Sequence, residues 1–104
     1  MGDRRQVVIE DEDDVVYLYT HWDGYRLVDV VKSAMKRGNS RWADAPYLTR
    51  IIFSEMIKDD VNGETGYGIS SKYMDSERDD IIINITEQSV KIGQSVKSFE
   101  EFIS

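Results

Sequence analysis

His21 is the only histidine of the chain. It lies in residues 20–25, read THWDGY. An imidazole titrates near neutral pH, so it suits general acid or base work with little tuning. It needs a second group to orient it, and Asp23 and Glu55 are the carboxylates weighed for that role. One histidine cannot supply the two or three imidazoles usual in a metal site, and no metal is expected. The competing structural reading is a histidine at a strand end that satisfies backbone groups.

Arg41, Trp42, Tyr47 and Arg50 form a second group. Arginine and aromatic side chains dominate contact hot spots, because they bury area while keeping a polar handle. They also stack on bases, and two arginines are enough to hold a small anion. The structural alternative pairs Arg41 with Asp44 or a nearby carboxylate and packs Trp42 into a helix junction. Trp22 and Tyr25, beside His21, complete the set of candidate binding residues.

Other chemistries lack their signatures. No serine stands in a G-x-S-x-G elbow. There is no Walker loop and no dinucleotide fingerprint. Gly63, Gly66 and Gly68 fall in a turn region, without phosphate-binding spacing. The chain has no cysteine, which excludes disulfides, thiolate chemistry and cysteine-ligated zinc. Residues 11–14 (DEDD) lack the stagger and the glycine of a calcium loop. Asp60, Asn62 and Glu64 alternate as such a loop would begin, but its glycine and distal glutamate are missing from their places. No cofactor is expected. Asn84-Ile85-Thr86 matches a glycosylation acceptor and reads as a chance match inside a strand.

Charge narrows the partners. There are 13 basic and 20 acidic residues, for a formal net charge of -7. This argues against direct binding to the DNA or RNA backbone, which needs clustered positive charge. It is compatible with a basic protein partner and with homo-oligomerisation. Mimicry of DNA would need the acidic residues gathered on one face, and they are split among residues 10–14, 59–64 and 75–80. No apolar run follows Arg4 and Arg5, so no signal peptide is expected. No run approaches the roughly 18 apolar residues of a membrane span, and a cytoplasmic setting is expected.

These residues are carried by a predicted small single α+β domain spanning residues 1–104, with residues 1–5 as a disordered end. Residues 6–10 (QVVIE) and 15–19 (VVYLY) predict a hairpin with the acidic block at its turn. Asp23 is placed to cap a helix from residue 24 or 25 to 37, with Leu27, Val30, Val31, Ala34 and Met35 as its buried stripe. Pro46 fits the first turn of a second helix over residues 47–58, on which Leu48, Ile51, Ile52, Met56 and Ile57 recur at spacings of three and four. Five residues, 41–45, join the two, so the helices should be neighbours, with Trp42 wedged between them. Strands are predicted over residues 67–70, 81–86 and 89–92, with Val96 extending the sheet. A terminal helix over residues 98–103 has Ser98 as cap and Glu101 three residues later. The expected order is β-β-α-α-β-β-β-α, an antiparallel or mixed sheet with two central helices packed on one face.

The runs YLYTHWDG (17–24), RWADAPYLTRIIFSEMI (41–57) and GYGIS (66–70) resemble a family of small uncharacterised proteins from bacteria and their phages. The resemblance covers most of the chain from Val15 onward. It implies an intracellular bacterial or phage-related setting and brings no established activity, cofactor or catalytic residue.

The expectation is a small acidic binding or regulatory protein that works through protein contacts. One alternative is an enzyme using His21 as acid or base, with Arg41 or Arg50 holding an anion. The other is a DNA mimic that blocks a basic nucleic-acid-binding protein.

Overall fold

Branched and aromatic residues flank a tip of four carboxylates, and they fold as the expected hairpin. In the computed structural model, which describes residues 2–104, β1 (Arg5–Asp11) and β2 (Asp14–Thr20) pair antiparallel, with Asp11 opposite Asp14. Glu12 takes φ 57°, the left-handed conformation that a two-residue hairpin loop demands. Four further strands complete one sheet: β3 (Tyr67–Ser70), β4 (Ile81–Asn84), β5 (Ser89–Ile92) and β6 (Ser95–Ser98). Their spatial order is β3-β2-β1-β4-β5-β6. Only β1 and β4 run parallel, with Val7 opposite Ile81, so the sheet is mixed.

Strand alternation divides the sheet into two faces. Val7, Ile9, Leu18, Ile81, Ile83 and Val90 turn toward the helices. There they meet the buried stripes of α1 (Leu27–Arg37) and α2 (Ala45–Met56), and the two phenylalanines of α3 (Phe99–Ile103). Leu48 and Ile52 of α2 are fully buried. Each such side chain contributes roughly 1.5–3 kcal/mol by leaving water. On the opposite face, residues 71–80 cross the sheet. The fully buried Gln6 fastens this segment: its Nε2 donates to Asp80 Oδ1 at 3.2 Å, and its Oε1 accepts the Met74 N–H at 3.0 Å. The Tyr73 ring sits edge-on to Tyr17.

Several local expectations are corrected. The order is β-β-α-α-β-β-β-β-α, with one strand more than expected. Gly93, at φ 59°, opens a two-residue loop that folds residues 95–98 back on β5, Ile92 opposite Ser95. All four β6 side chains are exposed, so no apolar alternation announced it. β4 stops at Asn84, where the side chain accepts the Glu87 N–H and starts a turn. α2 starts two residues early and ends at Met56, because Asp44 caps it by accepting the Tyr47 N–H. Val30 is only partly buried, while the rest of the α1 stripe is buried.

The amino-terminal end also differs from expectation. β1 begins at Arg5, and Asp3 replaces Asp23 as the group that receives the first helical turn. Its carbonyl accepts the Gly24 N–H, and its carboxylate accepts the Tyr25 N–H. Arg78 grips the same carboxylate with two bonds of 2.7 and 3.1 Å, which hold its pKa below the ordinary aspartate value. Arg5 is buried and donates to the carbonyls of Asp79 and Gly24. Burial pushes its pKa down. Among the described residues, no helix is long and apolar enough to cross a membrane.

Candidate functional site

The turn between α1 and α2 builds the first candidate surface. Gly38 closes α1 against Ile51 of α2, with its N–H on the Ala34 carbonyl. A single 3-10 turn (Asn39–Arg41) then carries the chain to Trp42. The Trp42 indole N–H donates to the Met35 carbonyl at 3.0 Å, and its ring lies edge-on to Phe99 at 5.3 Å. Trp42 thus acts as a wedge, but between the end of α1 and α3 and not between α1 and α2 as expected.

This leaves Arg41 and Tyr47 on the surface, side by side. The Arg41 guanidinium lies 5.2 Å from the centre of the Tyr47 ring, a cation–π arrangement. Arg41, Tyr47, Arg50 and Ile51 line a shallow cleft of about 280 Å³. Tyr47 is 55% exposed. Among the described residues neither Arg41 nor Arg50 forms an ion pair. Arg41 forms no ion pair with Asp44 among the described residues, and Asp44 Oδ1 caps α2. The neighbouring Arg37 is different: it pairs with Glu55 at 3.2 Å and donates to Ser54 Oγ and the Ile51 carbonyl. The cleft therefore presents two unpartnered guanidinium forks beside one aromatic face. Such forks suit a carboxylate or another planar anion.

The second surface forms where β2 leaves the sheet. The His21 N–H donates to the Gly66 carbonyl, and its own carbonyl accepts the Asp3 N–H, both at 2.8 Å. Its ring is edge-on to Tyr19 at 5.3 Å. The two hydrogen bonds are made by its backbone; the imidazole makes no hydrogen bond or ion pair among the described residues. Asp23 accepts the Tyr67 hydroxyl at 2.6 Å and pairs with Arg26 at 3.5 Å. Burial, and then the Asp23 carboxylate, push the Tyr67 phenol above its ordinary pKa. Glu55 is held between Arg37 and Lys58. Neither Asp23 nor Glu55 makes a hydrogen bond or ion pair with the His21 imidazole among the described residues. Trp22 lies over Gly66 and edge-on to Tyr67, and is 46% exposed. Tyr25 is exposed beside it.

Two of the three acidic segments lie toward one end of the sheet and the third at the other. Residues 75–80 and 59–64 approach the Arg5 and Tyr67 end of the sheet. Residues 11–14 form the hairpin tip at the other end of β1, about 20 Å away along the strand. No group of three or more potential metal-ligating side chains forms a metal site among the described residues.

Residues that sequence reasoning missed hold the second surface and residues 71–80 in place. Asp3, Arg5 and Gln6 carried no recognisable motif, and their partners lie about 20 to 75 positions away. Gly66, just before β3, and Gly68, within it, did carry a signal as glycines flanking an aromatic residue, and the rings of Trp22 and Tyr19 pack over them. Compared with models of protein families, with curated proteins and with solved structures, the chain matches none.

Proposed function

We propose that the protein is a small binding or regulatory module acting through protein contacts, with Arg41, Tyr47 and Arg50 as its contact group. The observation that carries this reading is the pair of unpartnered guanidinium groups beside an exposed tyrosine. The chain has 20 acidic residues against 13 basic ones. Arginines in such a chain readily find carboxylates, and Arg26, Arg37 and Arg78 do so. Arg41 and Arg50 instead stand ready for a carboxylate on a partner surface. Trp42 packs between α1 and α3 beside them, while Trp22 and Tyr25 offer a separate aromatic patch. The resemblance of the three quoted runs supports a bacterial or phage-related, cytoplasmic setting. The negative charge speaks against contact with nucleic-acid backbones.

The two other readings have less behind them. An enzyme built on His21 lacks a carboxylate at the imidazole, since Asp23 and Glu55 are engaged elsewhere. A DNA mimic would have to work without residues 11–14, which lie at the other end of β1 from residues 59–64 and 75–80.

Affinity capture from a bacterial lysate, compared across variants, tests the proposal. Arg41→Ala and Arg50→Ala are each expected to weaken partner binding by about fivefold or more, the loss that corresponds to a contact worth more than about 1 kcal/mol. Circular dichroism should remain unchanged, because both side chains are exposed. Capture intact in both variants but abolished in His21→Ala would overturn the assignment. Turnover of a small substrate that depends on His21 would replace the binding reading with the enzymatic one.

A further inference from the structure

The sheet has two free edges, and they are treated differently. β6 carries Lys97 in its middle, with Lys91 on the neighbouring strand. A lysine on an edge strand disfavours pairing with another chain. β3 has no such guard. Its four residues, Tyr67, Gly68, Ile69 and Ser70, include no charge and no proline, and they pair one-to-one with β2 without a bulge.

The pairing fixes which backbone groups of β3 are free. The His21 N–H bonds the Gly66 carbonyl. By antiparallel alternation Gly66, Gly68 and Ser70 turn their polar groups toward β2, while Tyr67 and Ile69 turn theirs outward. The side chains of Tyr67 and Ile69 share the face of Leu18, the helix-bearing face. α2 packs on β1, and its carboxyl-terminal end, with Phe53 and then Ile57, reaches the Tyr67 corner of the sheet. A groove of about 140 Å³ results beside the edge, lined by Phe53, Ile57, Asp60, Val61 and Tyr67 among others. Val61 is 65% exposed and Ile69 62% exposed. On the opposite face the Tyr19 ring closes over Gly68. The open side of the edge thus sets the apolar side chains of Phe53, Ile57, Val61 and Ile69 beside polar lining that includes Asp60, and its outward N–H and C=O groups have no partner among the described residues. Asp59 and Glu64 lie in the same loop.

We propose that β3 takes up an extended, basic segment of a protein partner as a seventh strand. Main-chain bonds to Tyr67 and Ile69 supply the affinity. An apolar side chain of the segment enters the groove beside Phe53 and Ile57, and a lysine or arginine meets Asp60. This is strand addition between a sheet edge and a neighbouring helix, with alternate side chains read by the groove. The carboxylate of Asp60 selects the basic segment. This contact is independent of the Arg41–Tyr47–Arg50 group, which suits the opposite charge.

The test uses a blocked peptide in which threonine alternates with valine and lysine in turn, so that one valine and the next lysine two residues on both face the groove, with amide exchange of the whole chain as the readout. At ten times its Kd the peptide is expected to slow exchange at Tyr67 and Ile69 by about tenfold. Ile69→Lys, which copies the guard of β6, should abolish this protection while circular dichroism shows an intact fold. Asp60→Asn should weaken it, and a peptide N-methylated on alternate residues should fail. Three results would overturn the proposal: equal protection by the same peptide with glutamate in place of lysine, protection at β6 in place of β3, or protection that rises with protein concentration without peptide. The last would assign the edge to a second copy of the chain.

Discussion

The phenol of Tyr19 covers Gly68, its cross-strand partner, and leaves no room for a Cβ there. An aromatic ring laid over a strand glycine restores the packing that the glycine lacks. Gly68→Ala is therefore expected to cost about 1–3 kcal/mol, as overpacking does. In a Tyr19→Ala background the same change should cost less than about 0.5 kcal/mol, because its obstacle is gone. Urea denaturation of the four proteins in this cycle measures the coupling. Equal costs in both backgrounds would show that the ring is not the constraint.

Ile52 is fully buried between α2 and the rest of the core. Ile52→Ala should cost about 2–5 kcal/mol through lost burial and the cavity left behind. Chemical denaturation checks it, and a change within about 0.5 kcal/mol, the range of surface substitutions, would contradict the packing of α2.

Gln6 fastens residues 71–80 through one donor and one acceptor. Gln6→Ala leaves the Met74 N–H without its partner, at a cost of about 1–3 kcal/mol. Exchange of the Met74 amide should accelerate sharply, while the amides of β4 keep their protection. Uniform acceleration across the sheet would mean that Gln6 supports the whole fold and not this segment.

Asp3 has a carboxyl pKa lowered chiefly by its bonds to Arg78. A lowered folded pKa means that the unfolded state takes up the proton first as pH falls. The contribution of this pair is complete above the unfolded aspartate pKa and is lost as pH falls through the lower folded value. Asp3→Asn should then narrow the stability gap from wild type in acid and show its full loss at neutral pH. A gap that is constant between these conditions would count against the Arg78 pairing.

Local chemistry explains what the sequence made legible. The acidic tip at residues 11–14, the Ser98 cap with Glu101, and the apolar spacing of α2 are decided by neighbours in the chain, and each forms as expected. That Trp42 is a wedge was legible for the same reason, since only a short turn surrounds it, but its packing on Phe99, far along the chain, was not. The helix entry at Gly24 was not. Asp23 is a good cap by residue type, but its carboxylate is drawn to Tyr67, 44 positions away, and Asp3 takes over. β6 was hidden because its side chains face solvent and only the Gly93 turn specifies it. The open groove beside β3 depends on where α2 crosses the sheet, which no local pattern encodes.

The single parallel seam, between β1 and β4, governs how the chain assembles. The β1–β2 hairpin, the helix pair and the β4–β5–β6 meander all close short loops. The seam joins segments far apart in sequence: Gln6 and Asp80, bonded beside it, are 74 positions apart. The entropy lost on closing a loop grows with its length, so this contact comes after the local ones. Until it forms, Val7, Val8 and Ile9 on one strand and Ile81, Ile82 and Ile83 on the other are unpaired apolar edges. Newly made chains are most prone to aggregate in that interval, and faster closure of the seam would shorten it.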